Sequence, residues 1–267
     1  LYTEDDAARA LPKAVAAAAR LCAIAAGVVV EEHVQDVQAA NIAALVAGCD
    51  CAIDGTDNFQ TRHLLNEACV RAQVPWVYGA CVGAYGCSLA ILPRETACLR
   101  CIQSELPAAG DSPTCDTVGI IPPAVQVVAG WQAVEALKIL IGRRDQVRRE
   151  LWASDLWAGT FQRLRTDAWR DPHCAVCGPD PTYPLLSARA EPAIVLCGRD
   201  AIQIRRTAPD LDALARQLGP RVEVANAYLL RWSDGALRAT CFTDGRVIVQ
   251  GTADAAVARA FCDRWLG

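Results

Sequence analysis

Apolar and polar positions along the chain change rhythm several times, and the changes predict a layered α/β protein. Residues 7–25 are rich in Ala, Leu, Arg and Lys and predict a helix. Residues 28–34 (VVVEEHV) are β-branched and predict a strand. A short helix over 41–47 and an apolar strand over 49–53 follow, then a helix over 59–73 and strands at 76–81 and 88–92. Strand, helix, strand at this spacing is the pattern of a parallel sheet covered by helices. Residues 95–122 lack a clear period and hold three cysteines, a length of irregular chain that is usually functional. Pro122 and Pro123 open an amphipathic helix to residue 141, with Gly142 placed as its cap. A strand pair turning at Gly159 closes this part.

Near residues 179–184 the composition shifts to Pro-Asp-Pro-Thr-Tyr-Pro, a stiff connector. Beyond it the pattern is strand (193–197), helix (210–218), three short strands and a closing helix (253–265), which predicts a small α+β domain.

Composition narrows the function classes. The chain has 267 residues, 53% of them hydrophobic, and a formal net charge of −4. It therefore has no electrostatic footprint for nucleic acid or an anionic membrane, and the Arg143, Arg144, Arg148, Arg149 cluster reads as the cationic end of a helix. Fourteen cysteines without a signal-peptide pattern imply a reducing, cytoplasmic location, where most serve as small core hydrophobes. No apolar run has membrane-spanning length. The chain contains no Met and begins Leu1-Tyr2-Thr3, which reads as a fragment or a trimmed product.

The strongest chemical signal is a pair of C-x-x-C motifs, Cys98/Cys101 and Cys174/Cys177. Two residues between cysteines let both thiolates of a knuckle face one ion, and two knuckles complete a closed tetrahedral Zn²⁺ site. The competing reading is two unrelated thiol pairs or a redox pair. A second signal is Asp54-Gly55-Thr56-Asp57-Asn58-Phe59, with Arg62 a turn further on. A carboxylate at a strand's carboxyl end beside a helix start can hold Mg²⁺ against nucleotide phosphates, but a capped turn wants the same residues. Cys115 in Ser-Pro-Thr-Cys-Asp is a candidate nucleophile or an ordinary loop thiol. Lys13 is a candidate phosphate contact or a solvated surface lysine.

Together, DGTDNFQTRHLLNEACV, PWVYGACVGAYG, CLRC, SPTC and GIIPPAVQVVAGWQAVEALKIL resemble the MoeB/ThiF/HesA branch of the ubiquitin-activating-type enzymes. The resemblance spans residues 1 to about 178. It implies a Rossmann-like, mostly parallel sheet with a Cys₄ zinc site, in a domain over 1–178, a linker over 179–188 and the small α+β domain over 189–267. It also implies ATP-dependent adenylation of the C-terminal glycine of a MoaD- or ThiS-like sulfur carrier, for molybdopterin or thiamine biosynthesis. In that scheme Asp57 coordinates Mg²⁺ with Asn58 beside it, and Lys13 contacts ATP. Cys98, Cys101, Cys174 and Cys177 match the zinc ligands, and Cys115 matches a cysteine that in some members takes the activated carrier. A cysteine desulfurase or rhodanese would supply sulfur, and the enzyme would be a homodimer. The family's G-x-G-x-x-G loop and its S-N-L-x-R-Q arginine segment are not in this sequence, so the sheet is expected to be incomplete at its N-terminus. A non-catalytic carrier-binding protein is the alternative that follows from that departure; a nicotinamide-dependent oxidoreductase has only the α/β rhythm behind it. The C-terminal segment contains Cys197-Gly198-Arg199, of rhodanese flavour, but is short for that fold and reads as an appendage for carrier docking or dimer contact.

Overall fold

The computed structural model describes residues 2–107, 115–188, 193–196 and 200–266, with the backbone alone at 115, 116 and 193–196. The chain divides into two units, Leu1–Asp36 with Glu191–Gly267, and Val37–Ala190.

Where one helix is expected across 7–25 there are two, α1 (Glu4–Ala8) and α2 (Lys13–Ile24). Ala10 adopts a left-handed φ of 49° and Pro12 precedes α2, a combination that cannot continue a helix. Thr3 and Asp6 close a capping box on α1. Residues 28–34 form no strand, and Val28 and Val29 are exposed. β-Branched residues need a sheet edge to pair with, and no described strand pairs with this segment.

The second unit runs α3 (Ile42–Val46), β1 (Ala52–Ile53), α4 (Phe59–Ala72), β2 (Trp76–Val82), β3 (Tyr85–Ile91), α5 (Leu99–Ile102), α6 (Cys115–Val118), α7 (Pro122–Leu140), β4 (Glu150–Asp155), β5 (Thr160–Arg165) and α8 (Pro184–Ser187). Its sheet has the order β1-β2-β3-β4-β5. β1 and β2 are parallel, while the other three pairings are antiparallel. The sheet is thus mixed rather than mostly parallel. The reason lies in the connections: β2 and β3 are joined by Gly83-Ala84 alone, and β4 and β5 turn at Gly159, whereas a parallel pair needs a long crossover such as α4.

The helix expected from Pro122 is α7, with Gly142 following it at φ 77°. It packs across β2 and β3, closely enough that a Cβ on Gly86 would stand 2.6 Å from Val128 Cγ2. Trp76, Leu89, Ile91 and Cys69 form the centre of this unit's core. Burial of side chains of this size is worth about 1.5–3 kcal/mol each.

The C-terminal segment adds β6 (Ala193–Leu196), β7 (Ala201–Arg205), α9 (Leu211–Leu218), β8 (Val222–Ala225), β9 (Leu229–Asp234), β10 (Leu237–Phe242), β11 (Arg246–Gln250) and α10 (Ala255–Leu266). Its six strands pair antiparallel in the order β6-β7-β11-β10-β9-β8. Leu214 and Leu218 of α9 and Phe261 of α10 bury against it, Phe261 stacking on Trp232. Within the same unit Asn226 Nδ2 donates to the carbonyls of Arg9 and Ala10.

Candidate active site and metal centre

β1 stops at Ile53, and Asp54 begins the turn predicted to carry chemistry. The side chain of Asp54 does not point to solvent. It is 2% exposed and accepts from Thr56 N at 2.8 Å and Thr56 Oγ1 at 2.7 Å. Arg62 reaches back from α4 to the same carboxylate, Nε to Oδ2 at 3.2 Å, and donates through a terminal nitrogen to Thr56 O at 2.6 Å. The turn is therefore tied to the first residues of α4 by a buried ion pair. Phe59 and Tyr78 rings flank the guanidinium.

That arrangement leaves Asp57 exposed on the outside of the turn. Asn58 is the N-cap of α4, its Oδ1 accepting from Thr61 N at 2.8 Å, while its Nδ2 donates to Asp57 Oδ1 at 3.4 Å. The capped-turn reading of Asn58 is thus correct, and it coexists with a free outward carboxylate edge on Asp57 that suits a hard cation. Lys13 is the first residue of α2, in the other unit. Cys115 is the first residue of α6, and its side chain lies outside the described residues, as do Cys197 and its neighbours.

The four cysteines of the two knuckles come together although 76 residues separate the pairs. Their sulfurs lie within 4.8 Å of one another, with Cys98–Cys101 at 3.9 Å, Cys98–Cys174 at 3.7 Å and Cys101–Cys177 at 3.3 Å. A tetrahedral ion bound to thiolates at about 2.3 Å separates its sulfurs by about 3.8 Å, so the cluster can hold a metal ion. All four are free thiols. Hydrogen bonds from the thiols of Cys101, Cys177 and Cys98 hold the Cys174 sulfur well below its ordinary value. Val176 N also points at Cys174 Sγ at 3.4 Å, and Gly178 N closes the knuckle on Cys174 O at 2.9 Å. A Cβ on Gly178 would stand 2.6 Å from that carbonyl, which explains the glycine.

α4 holds this cluster in place through a buried polar stripe. Arg62, His63, Asn66 and Glu67 face inward on one side of the helix. Asn66 Oδ1 accepts from Leu99 N at 3.0 Å and so fixes the first knuckle. Glu67 accepts from Leu185 N and Leu186 N, both at 2.9 Å through Oε2, and so caps the start of α8. The end of the Pro-rich stretch is therefore docked, with Tyr183, Leu185 and Leu186 against the core. Burial raises the Glu67 pKa against the lowering effect of those N–H groups, and burial lowers that of His63, which meets Gln103 at 3.4 Å. From α7, Gln132 Nε2 donates to Asp54 O at 2.8 Å and Val77 O at 3.0 Å. Asp54, Asn66, Glu67 and Gln132 are supporting residues to which the sequence alone assigns no role. The signal for two of them, Asn66 and Glu67, was the stripe itself, polar residues at 62, 63, 66 and 67 recurring at helical spacing.

A mixed α/β sheet, a strand-end acidic turn and a four-cysteine centre clamped beneath the same helix fit the arrangement that the sequence resemblance implies. The model of the ThiF family matches residues 1–176, and the chain belongs to that family. It is 40% identical over 274 residues to the sulfur carrier protein ThiS adenylyltransferase of Bacillus subtilis (strain 168), covering all of this chain and 80% of that one. It is 34% identical over 180 residues to the SAMP-activating enzyme E1 of Haloferax volcanii, covering 67% of this chain and 64% of the relative. Among solved structures, E. coli MccB with MccA-N7isoASN matches with a TM-score of 0.56 at 19% identity, over 67% of this chain and 54% of that chain, a likeness of fold. The family relationship makes the protein an adenylyltransferase.

Proposed function

We propose that the protein adenylates the C-terminal glycine carboxylate of a ubiquitin-like sulfur carrier of the ThiS kind, using ATP. The observation that carries this reading is identity across the whole chain to a ThiS adenylyltransferase, at 40%. In the proposed reaction a carboxylate oxygen bonds to the α-phosphorus, the bond from that phosphorus to the pyrophosphate oxygen breaks, and an acyl-adenylate and pyrophosphate result. The enzyme's contribution is chiefly positioning and charge.

Asp57 would hold Mg²⁺ at the phosphates, with Asn58 fixing the turn and orienting the Asp57 carboxylate. Bound there, the ion offsets phosphate charge. Lys13 would supply a further positive contact to ATP. Cys98, Cys101, Cys174 and Cys177 would hold Zn²⁺ as a structural staple, the donor set and spacing being those a closed tetrahedral site needs. In a second step a thiolate attacks the acyl carbon and AMP leaves; the thiolate is either Cys115 or a persulfide delivered by a cysteine desulfurase or rhodanese. If Cys115 serves, Cys115→Ala blocks sulfur transfer while sparing adenylation. The adenylating domain is taken as residues 1–178, with 179–188 as linker and 189–267 as an appended α+β domain. The enzyme acts in the cytoplasm as a homodimer. No helix of the described residues is long and apolar enough to cross a membrane.

Carrier-dependent ATP–pyrophosphate exchange tests the reading, with ThiS-type and MoaD-type carriers compared. Exchange with the ThiS type supports it, exchange with the MoaD type alone moves the function to molybdopterin biosynthesis, and carrier binding without exchange supports the non-catalytic alternative. Of the two pathways, thiamine biosynthesis is the one proposed, on the likeness to a ThiS adenylyltransferase.

A further inference from the structure

Asp57 sits on a turn that is held from two sides by different devices. On the α4 side, Arg62 and Thr56 hold the Asp54 carboxylate. On the other side, α7 presents Gln132, 6% exposed, to the Asp54 peptide. The β1–β2 ladder pairs Ala52 with Trp76 and Ile53 with Val77, and its last bond runs from Asp54 N to Val77 O. The next acceptor along the turn, Asp54 O, takes a side-chain donor. Gln132 Nε2 supplies one, bonding Asp54 O at 2.8 Å and Val77 O at 3.0 Å, and so continues the sheet's pairing past the end of β1.

The position of this amide is itself fixed. Gly79 leaves the space it fills, since a Cβ there would stand 2.5 Å from Gln132 Nε2 and 2.6 Å from Cδ. One turn before it, Val128 seats on Gly86. One turn after it, Glu135 accepts from Arg148 Nε at 2.6 Å. α7 is thus pinned on both sides of Gln132, and an apolar residue of similar volume would pack there without the desolvation of an amide.

We propose that Gln132 is a positioning residue for adenylation: it sets the Asp54 carbonyl, and through it the place of Asp57 three residues on. This rests on the reading of Asp57 as the residue that holds Mg²⁺. The role goes beyond packing because the carbonyl it grips lies on the turn that carries Asp57.

The test uses the full protein and two variants, Gln132→Leu and Gln132→Glu, with Asp57→Ala as reference. ATP binding is measured by calorimetry at stepped Mg²⁺ concentrations, alongside zinc content, circular dichroism and pyrophosphate exchange. Losing the donor takes from Asp54 O the bond that Gln132 supplies, while Val77 O keeps Asp54 N, so Gln132→Leu raises the Mg²⁺ concentration that half-saturates ATP binding by about tenfold, with zinc content unchanged. Gln132→Glu shows the same defect when ionised and recovers as pH falls, because a protonated carboxyl again donates; the parent does not share that trend. A merely structural role lowers the folded fraction and leaves half-saturation where it was, and that result overturns the proposal. Should Gln132→Leu fail to fold, the pH trend of Gln132→Glu decides alone. Asp57→Ala separates the two levels of the reading. If it leaves Mg²⁺-dependent binding intact, the assignment of Asp57 falls and takes this inference with it; if it abolishes that dependence while both Gln132 variants match the parent, only the inference fails.

Discussion

Replacing Arg62 by Met removes the guanidinium that pairs with Asp54 and keeps a side chain of comparable reach. Both partners are buried, at 8% and 0% side-chain exposure, so the attraction is not spent on solvent. Truncating one partner of such a pair costs about 3–5 kcal/mol, whereas solvent-exposed pairs are worth little. Asp54 keeps Thr56 N and Thr56 Oγ1 as donors after the change, which places the cost at the lower end, about 3 kcal/mol. For a unit of this size that corresponds to a fall in melting midpoint of roughly 6–12 °C. Near-ultraviolet circular dichroism suits the measurement, because Trp76 and Tyr78 form an edge-on pair in the same unit and Tyr78 flanks Arg62. Arg143→Met is the control: its pair with Asp145 is exposed, and no measurable shift is expected. If Arg62→Met lowers the midpoint no more than this control does, the buried pair does not clamp the turn.

Three further outcomes follow from the same contacts. Glu135 is 0% exposed and its pKa lies below the ordinary 4.5, because Lys138 and Arg148 overcome the opposing effect of burial. Its contribution is therefore full above pH 4.5 and is lost as pH falls through the lowered value; Glu135→Gln should lower stability near neutrality and flatten the acid limb of the pH–stability curve. Glu67 is shifted the other way by burial, so its contribution is full below pH 4.5 and lost as pH rises through the raised value; Glu67→Gln should weaken that decline in a pH-stepped melt. Cys174→Ala removes one of four sulfurs and should abolish stoichiometric zinc in metal analysis and lower the melting midpoint, while Cys49→Ala, an exposed cysteine outside the cluster, should leave bound zinc unchanged. Full zinc occupancy in Cys174→Ala would contradict the four-sulfur centre.

Much of this was legible where local chemistry and fold agree. The apolar runs at 76–81 and 88–92 read as two strands, which the structure extends toward each other as β2 and β3, and α7 announces itself through Pro122 and Gly142. The paired C-x-x-C spacing survives as geometry because thiol pairs 76 residues apart converge under α4. What escaped depends on partners that no local pattern names. Residues 28–34 have strand composition but no described neighbour to pair with. The direction of β3 against β2, and of β5 against β4, is decided by connection length rather than by the residues within them. Asp54 and Asp57 look equivalent in the sequence; Arg62 decides which is buried and which faces out. Gln132 is one of several polar residues on α7, and its meaning appears once Gly79 is seen to make room for it.

The proposed reaction is adenylation of a ubiquitin-like carrier at the turn carrying Asp57. The most direct test is ATP–pyrophosphate exchange by the protein produced from its complete gene, with ThiS-type carrier added or withheld. Exchange that requires the carrier and its terminal glycine, and that disappears in Asp57→Ala with zinc content and fold intact, is the predicted result. Exchange that persists in Asp57→Ala, or that never depends on the carrier, would contradict the account.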